Sequence, residues 1–145
     1  MRLLLLSGLL GLVAGTAFQD CGSKGKDVFF SVEGCEVPPC LLMRGKSYQI
    51  DFKFTASGAT DTLTVAASAN IGGLEVPWPG LDPDACKGVE ATANPCPIED
   101  GSHVEWNMEA FVLSEYPKLT TMVTFKLLDQ DGNLQTCAKL PAQIV

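Results

Sequence analysis

The side chains that could do covalent chemistry are few in this chain, and each falls where catalysis makes poor use of it. His103 is the sole histidine. It alternates with Val104 and Trp106 and shares its side of the run with Glu105 and Asn107, which reads as a solvated strand face rather than a general base in a cleft. Asp129 and Asp131 could form a carboxylate pair, but they sit in the Asp131-Gly132-Asn133 turn, where solvated carboxylates are common. Ile71-Gly72-Gly73 lacks the strand-to-helix setting of a phosphate loop. The six cysteines are even in number and follow an export leader, so three disulfides are expected and no thiol nucleophile remains. With no CxxC pair and one histidine, zinc is not expected. Nucleophile, base and metal ligands do not converge anywhere, and the expectation is a protein that is not an enzyme and needs no cofactor or metal.

Binding chemistry is better represented. In the stretch Leu74 to Cys86, LEVPWPGLDPDAC, Trp78 stands between two prolines. Pro77 and Pro79 lack backbone donors and fix φ, so Trp78 belongs on a stiff connector at the end of a strand, not inside a central one. A ring held there can close an apolar space from its rim while its N–H turns to water or a polar partner. The same residue could equally be a core tryptophan that anchors a loop.

The elements that must carry this ring are short strands. Tyr48, Ile50, Phe52 and Phe54 alternate with Gln49, Asp51 and Lys53, the period of a half-buried strand. The period recurs in Leu63, Val65, Ala67 and Ala69, in Val104, Trp106, Met108 and Ala110, and in Leu119, Thr121, Val123, Phe125 and Leu127. Weaker runs cover Val28 to Glu33, Gly73 to Val76 and Cys137 to Val145. Arg44-Gly45, Ser57-Gly58, Pro77 to Pro83, Asp100-Gly101 and Asp131-Gly132-Asn133 supply the turns. No segment holds a capped 3.6-residue period. About seven strands in one small domain predict an all-β antiparallel sandwich or barrel. The Cys, Trp, Cys spacing of an immunoglobulin domain is absent, so the sandwich would be immunoglobulin-like in outline only. Its inner faces could close into a solid core, the commoner outcome, or part to hold an apolar guest; periodicity does not distinguish them.

Residues 1–17 read as a secretory leader, with Arg2 as the basic start, LLLLSGLLGLV as the apolar run and Ala14, Gly15 and Ala17 before the cut. A single domain over residues 18–145 follows. The product should be secreted and soluble, because the apolar run is too short to span a bilayer. Seventeen acidic against ten basic residues argue against nucleic acid and against adsorption to anionic membranes at neutral pH. Six cysteines allow 15 connectivities. Cys35 with Cys40 and Cys86 with Cys96 are locally plausible, which would leave Cys21 with Cys137.

In order and spacing, DCGS at Asp20 to Ser23, PPC at Pro38 to Cys40, RGKSYQIDFKF, GLEVPWPGLDPDAC, NPCPIEDG, SEYP at Ser114 to Pro117 and the closing PAQIV resemble the ML lipid-recognition domain. The resemblance covers Asp20 to Val145 and points to the Niemann-Pick type C2 proteins and the mite group 2 allergens. It implies an immunoglobulin-like sandwich of two antiparallel sheets around an apolar lipid cavity. It also implies the bridges Cys21–Cys137, Cys35–Cys40 and Cys86–Cys96, and a lipid site lined by Trp78, Val112 and Tyr116, the positions of the V-P-aromatic-P and V-x-S-E-Y-P motifs. Trp78 replaces the phenylalanine usual in vertebrate sterol carriers, and its segment stands closer to the invertebrate members. The loop KGVEATANP is longer than the resemblance leads one to expect. The implied function is a monomeric carrier of a sterol or similar apolar lipid, extracellular or in an endosomal or lysosomal lumen, delivering to a membrane or a membrane-protein acceptor. The alternative is an innate-immune or chemosensory recogniser for which the lipid is a signal.

Overall fold

The computed structural model describes residues 15–89 and 95–145; the leader's first 14 residues and the middle of the KGVEATANP loop lie outside them. The strands, in chain order, are β1 (Gln19–Asp20), β2 (Lys26–Val32), β3 (Cys40–Leu42), β4 (Ser47–Thr55), β5 (Thr64–Ile71), β6 (Leu74–Pro77), β7 (His103–Phe111), β8 (Leu119–Leu128) and β9 (Leu134–Ile144). One sheet runs β1-β9-β8-β5-β6, with β3 also beside β9; the other runs β2-β4-β7. Pairing is antiparallel except between β3 and β9, which run parallel, a departure from purely antiparallel sheets. Both β1 and β3 are too short to leave a periodic trace, which is why alternation misses them.

The long strands follow their hydrophobic alternation. On β4, Ile50, Phe52 and Phe54 are buried between the sheets while Gln49 and Lys53 face solvent. The register sets Phe30 opposite Phe52 and Phe52 opposite Trp106. A one-residue slip would turn all three rings outward, so the buried face itself fixes the pairing. From the facing sheet come Val65 and Ala67, then Val123, Phe125 and Leu127, then Ala138, Leu140 and Ala142, all buried. β5 and β6 form a hairpin with Ile71 opposite Leu74. The intervening Gly72 and Gly73 have φ of 61° and 87°, the left-handed conformation that a two-residue type I′ loop requires.

Disulfides join Cys21 to Cys137, Cys35 to Cys40 and Cys86 to Cys96, the set implied by the resemblance. The first ties the start of the domain to β9 across 116 residues. Around the edges, side chains close the turns. Asp129 accepts from the N–H groups of Asp131 and Asn133 with one oxygen, which commits that carboxylate to the turn. His103 Nε2 lies 3.1 Å from Glu105 Oε2, both exposed on β7. Gln135 is buried and clamps Ser57 through both its amide groups, at 3.0 and 2.7 Å.

Candidate binding site

β6 ends at Pro77, an edge position that needs no ladder donor. The Trp78 N–H makes one more bond, to the Ala67 carbonyl at 2.8 Å, and Pro79 then stops the pairing. The indole turns back across the gap between the sheets, where Nε1–H donates to the Phe111 carbonyl at 3.3 Å. Since Ala67 lies on β5 and Phe111 on β7, Trp78 bridges the two sheets at one end of the sandwich. The expected polar partner of its N–H is therefore a main-chain carbonyl.

Ring contacts lead from that bridge into the core. Tyr116 meets Trp78 edge to face at 6.3 Å between centroids, and Trp78 packs on Phe125 at 6.0 Å. Phe125, Phe30, Phe52 and Trp106 continue the series at 5.6, 4.9 and 5.9 Å. Such offset and tilted pairs suit the ring quadrupoles and add to area burial. Of this series only Trp78 and Tyr116 face the opening, while Phe30, Phe52 and Trp106 are buried behind them.

Two spaces adjoin the bridge. The outer one is open, has a volume of about 320 Å³ and is walled by Trp78, Tyr116, Val76, Ile71, Leu119 and Ile144, with the rings of Pro77, Pro79 and Pro117. The inner one, among Ile50, Tyr48, Phe125, Leu140 and Ala142, measures only about 10 Å³. Leu42, Trp78 and Val123 belong to both walls. The sandwich is thus nearly filled within and open at its end, so both readings of the inner faces hold in part. The outer volume falls at the low end of ligand pockets, about 300–1,000 Å³.

Of the three residues that the resemblance assigns, Trp78 and Tyr116 come together and line the opening. Val112 is 1% exposed and borders neither space. Its N–H donates to the Lys46 carbonyl at 2.9 Å and its carbonyl accepts from Gly45 at 2.6 Å, which ties the Arg44–Gly45 turn to the start of the segment whose own turn, Tyr116 N–H to the Leu113 carbonyl at 3.2 Å, carries Tyr116. Arg44 steadies the Tyr116 turn by donating to the Tyr116 carbonyl at 3.3 Å. Periodicity did not single out Leu42, Ile71, Val76, Leu119 and Ile144 as lining residues. Their common feature is a place near a strand end, on the side where the sheets part, which only the register reveals.

Tyr116 is the one titratable side chain in the outer wall. Burial pushes its phenol above the ordinary value, with the Glu115 charge adding to the effect, so it stays neutral. Its hydroxyl is buried without a hydrogen-bond partner. The site can therefore offer apolar contact and one hydroxyl, but no nucleophile or base. Among the described residues no group of three His, Cys, Asp or Glu could hold a metal ion, and no helix is long and apolar enough to cross a membrane.

Comparison with known proteins agrees with this architecture. The model of the ML domain matches residues 15–144. The NPC intracellular cholesterol transporter 2 homolog a of Drosophila melanogaster is 36% identical over 143 residues, covering 95% of this chain and 93% of its own. The NPC intracellular cholesterol transporter 2 of Mus musculus is 34% identical, with 94% and 93% covered. Mite group 2 allergen Tyr p 2 of Tyrophagus putrescentiae is 31% identical, with 92% of both chains covered. Among solved structures, a Niemann-Pick type C2 protein from the Japanese carpenter ant superposes with a TM-score of 0.73 at 26% identity, covering 89% of this chain and 99% of that one. A family match over nearly the whole described chain, on the fold and bridges described above, leads to one conclusion: the protein belongs to the ML domain family.

Proposed function

We propose that this protein is a non-enzymatic carrier that takes a sterol or similar apolar lipid into the opening beside Trp78 and delivers it to a membrane or an acceptor protein. The observation that carries this reading is the outer space of about 320 Å³, apolar on nearly every side and continuous with a ladder of rings. Relatives whose names describe cholesterol transporters support it. Burying about 400 Å² of apolar ligand surface at roughly 25 cal/mol per Å² releases about 10 kcal/mol. Association and ordering costs reduce that to micromolar or nanomolar affinity.

Trp78 acts as the partition in this scheme. A guest larger than the outer space gains room by swinging the indole off the Phe111 carbonyl and taking the volume the ring vacates, since the inner space adds only about 10 Å³. That hydrogen bond, about 1 kcal/mol, and the ring's packing on Tyr116 and Phe125 oppose the motion. The lipid's polar end stays toward Tyr116 and water, and its apolar end faces Phe125.

Transfer of a fluorescent sterol from loaded protein to acceptor vesicles tests the proposal. A carrier binds one sterol per chain and accelerates its arrival in the vesicles. Binding with no transfer would contradict the carrier role and favour a recogniser, and no binding of sterol or acyl lipid would contradict both.

A further inference from the structure

Ahead of β1 the chain is already bound into the fold. Glu33 N–H donates to Gln49 on β4, so by the alternation of an antiparallel ladder the backbone groups of Phe30 and Val32 point to the open side of β2. Thr16 and Ala17 cover that side. Thr16 N–H donates to the Phe30 carbonyl at 2.9 Å, and Val32 N–H donates to Thr16 Oγ1 at 2.8 Å. The same hydroxyl donates to the Cys35 carbonyl, and Ala17 N–H to the Glu36 carbonyl at 3.0 Å. Thr16 is 4% exposed, and Phe18 packs edge-on against Phe30 at 5.7 Å.

A leader cut after Ala17, as read from the sequence, would remove both residues. Val32 N–H would lose its acceptor, the Phe30 and Glu36 carbonyls their donors, and β2 would become a bare sheet edge. Small uncharged residues one and three places before a cut are what signal peptidase accepts. Ala17 and Gly15 meet that need for the cut after Ala17, and Gly15, with the uncharged Val13 three places before the bond, allows a cut two residues earlier.

We propose that signal peptidase hydrolyses the Gly15–Thr16 bond, so that the mature protein begins at Thr16. Water adds across the amide; the leader departs with the Gly15 carboxylate, and Thr16 gains an α-ammonium group in reach of the Phe30 carbonyl. The enzyme acts on the unfolded chain during export and its residue rule admits both bonds; the places that Thr16 and Ala17 hold in the fold distinguish them. The fold then uses the residue that survives, its hydroxyl sealing the edge of β2.

The test is to secrete the full chain, Met1 to Val145, from a eukaryotic host and determine its first residue by N-terminal sequencing and intact mass. The expected sequence begins Thr-Ala-Phe-Gln. Any other first residue, or a retained leader, overturns the assignment. A second measurement checks the reason given for it. Refolded chains that begin at Thr16 and at Phe18 should differ, the shorter melting roughly 5 °C lower from the lost edge bonds; equal melting temperatures would refute the edge-sealing role.

Discussion

Replacing Trp78 with alanine separates a ring that contacts a guest from a ring that only packs. An aromatic side chain presents about 150–250 Å², and Trp78 has one flank on Tyr116 and Phe125 with the other on the outer space. If about 100 Å² of it meets the lipid, its loss removes about 2.5 kcal/mol at roughly 25 cal/mol per Å². That is about 60-fold in affinity. The half-buried indole also holds the sheets together through the Phe111 carbonyl, so the empty protein loses about 2 kcal/mol as well and melts several degrees lower. Affinity is therefore measured by fluorescent-sterol titration well below the melting transition, on protein shown to be folded by near-ultraviolet circular dichroism. Trp106→Phe is the control, because Trp106 is 2% exposed and lines neither space of the site; it should lower the melting temperature and leave affinity per folded molecule unchanged. Undiminished affinity in folded Trp78→Ala would refute the assignment of the opening as the lipid site.

Two further predictions concern the scaffold. Changing Cys21 and Cys137 to serine opens a loop of 116 residues, whereas changing Cys35 and Cys40 opens one of 5; chain entropy gives losses of about 5 and about 2 kcal/mol, so denaturant midpoints should fall in that order, and a reversed order would contradict it. At Asp20, burial opposes ionisation, but the N–H groups of Ser23 and Gly22 outweigh it and hold the carboxyl below its ordinary value of 3.8. A depressed folded value stabilises the protein above about pH 4 and ceases to do so as the pH falls through it. Asp20→Asn should thus lower the melting temperature slightly at pH 7, with the two proteins converging in acid; a gap that widens in acid would contradict the sign.

How much the sequence revealed follows from what each signal measures. Alternation reports a strand with one face in the core, so β4, β5, β7 and β8 were legible, and the Asp100-Gly101 and Asp131-Gly132 turns between strands were too. β1 and β3 hold two and three residues, too few for alternation to repeat, and β3 finds its place only through a parallel partner far along the chain. Trp78 stood out because flanking prolines mark the end of a strand. Its second role, spanning the sheets to Phe111, depends on tertiary approach and leaves no local trace. Val112 carries the motif position with its side chain packed in the core, while its main chain bonds to Gly45 and Lys46, an arrangement that only the folded chain reveals. Buried Gln135 was missed for a related reason, since its partners on Ser57 are 78 residues away.

Native mass spectrometry of the secreted protein, purified without detergent, tests whether the opening beside Trp78 holds an apolar lipid. A fraction carrying one sterol or similar apolar lipid per chain is expected, lost in Trp78→Ala and retained in Trp106→Phe. A protein that is empty as secreted and stays empty after exposure to sterol and fatty-acid vesicles, or one whose bound lipid is indifferent to Trp78, would contradict it.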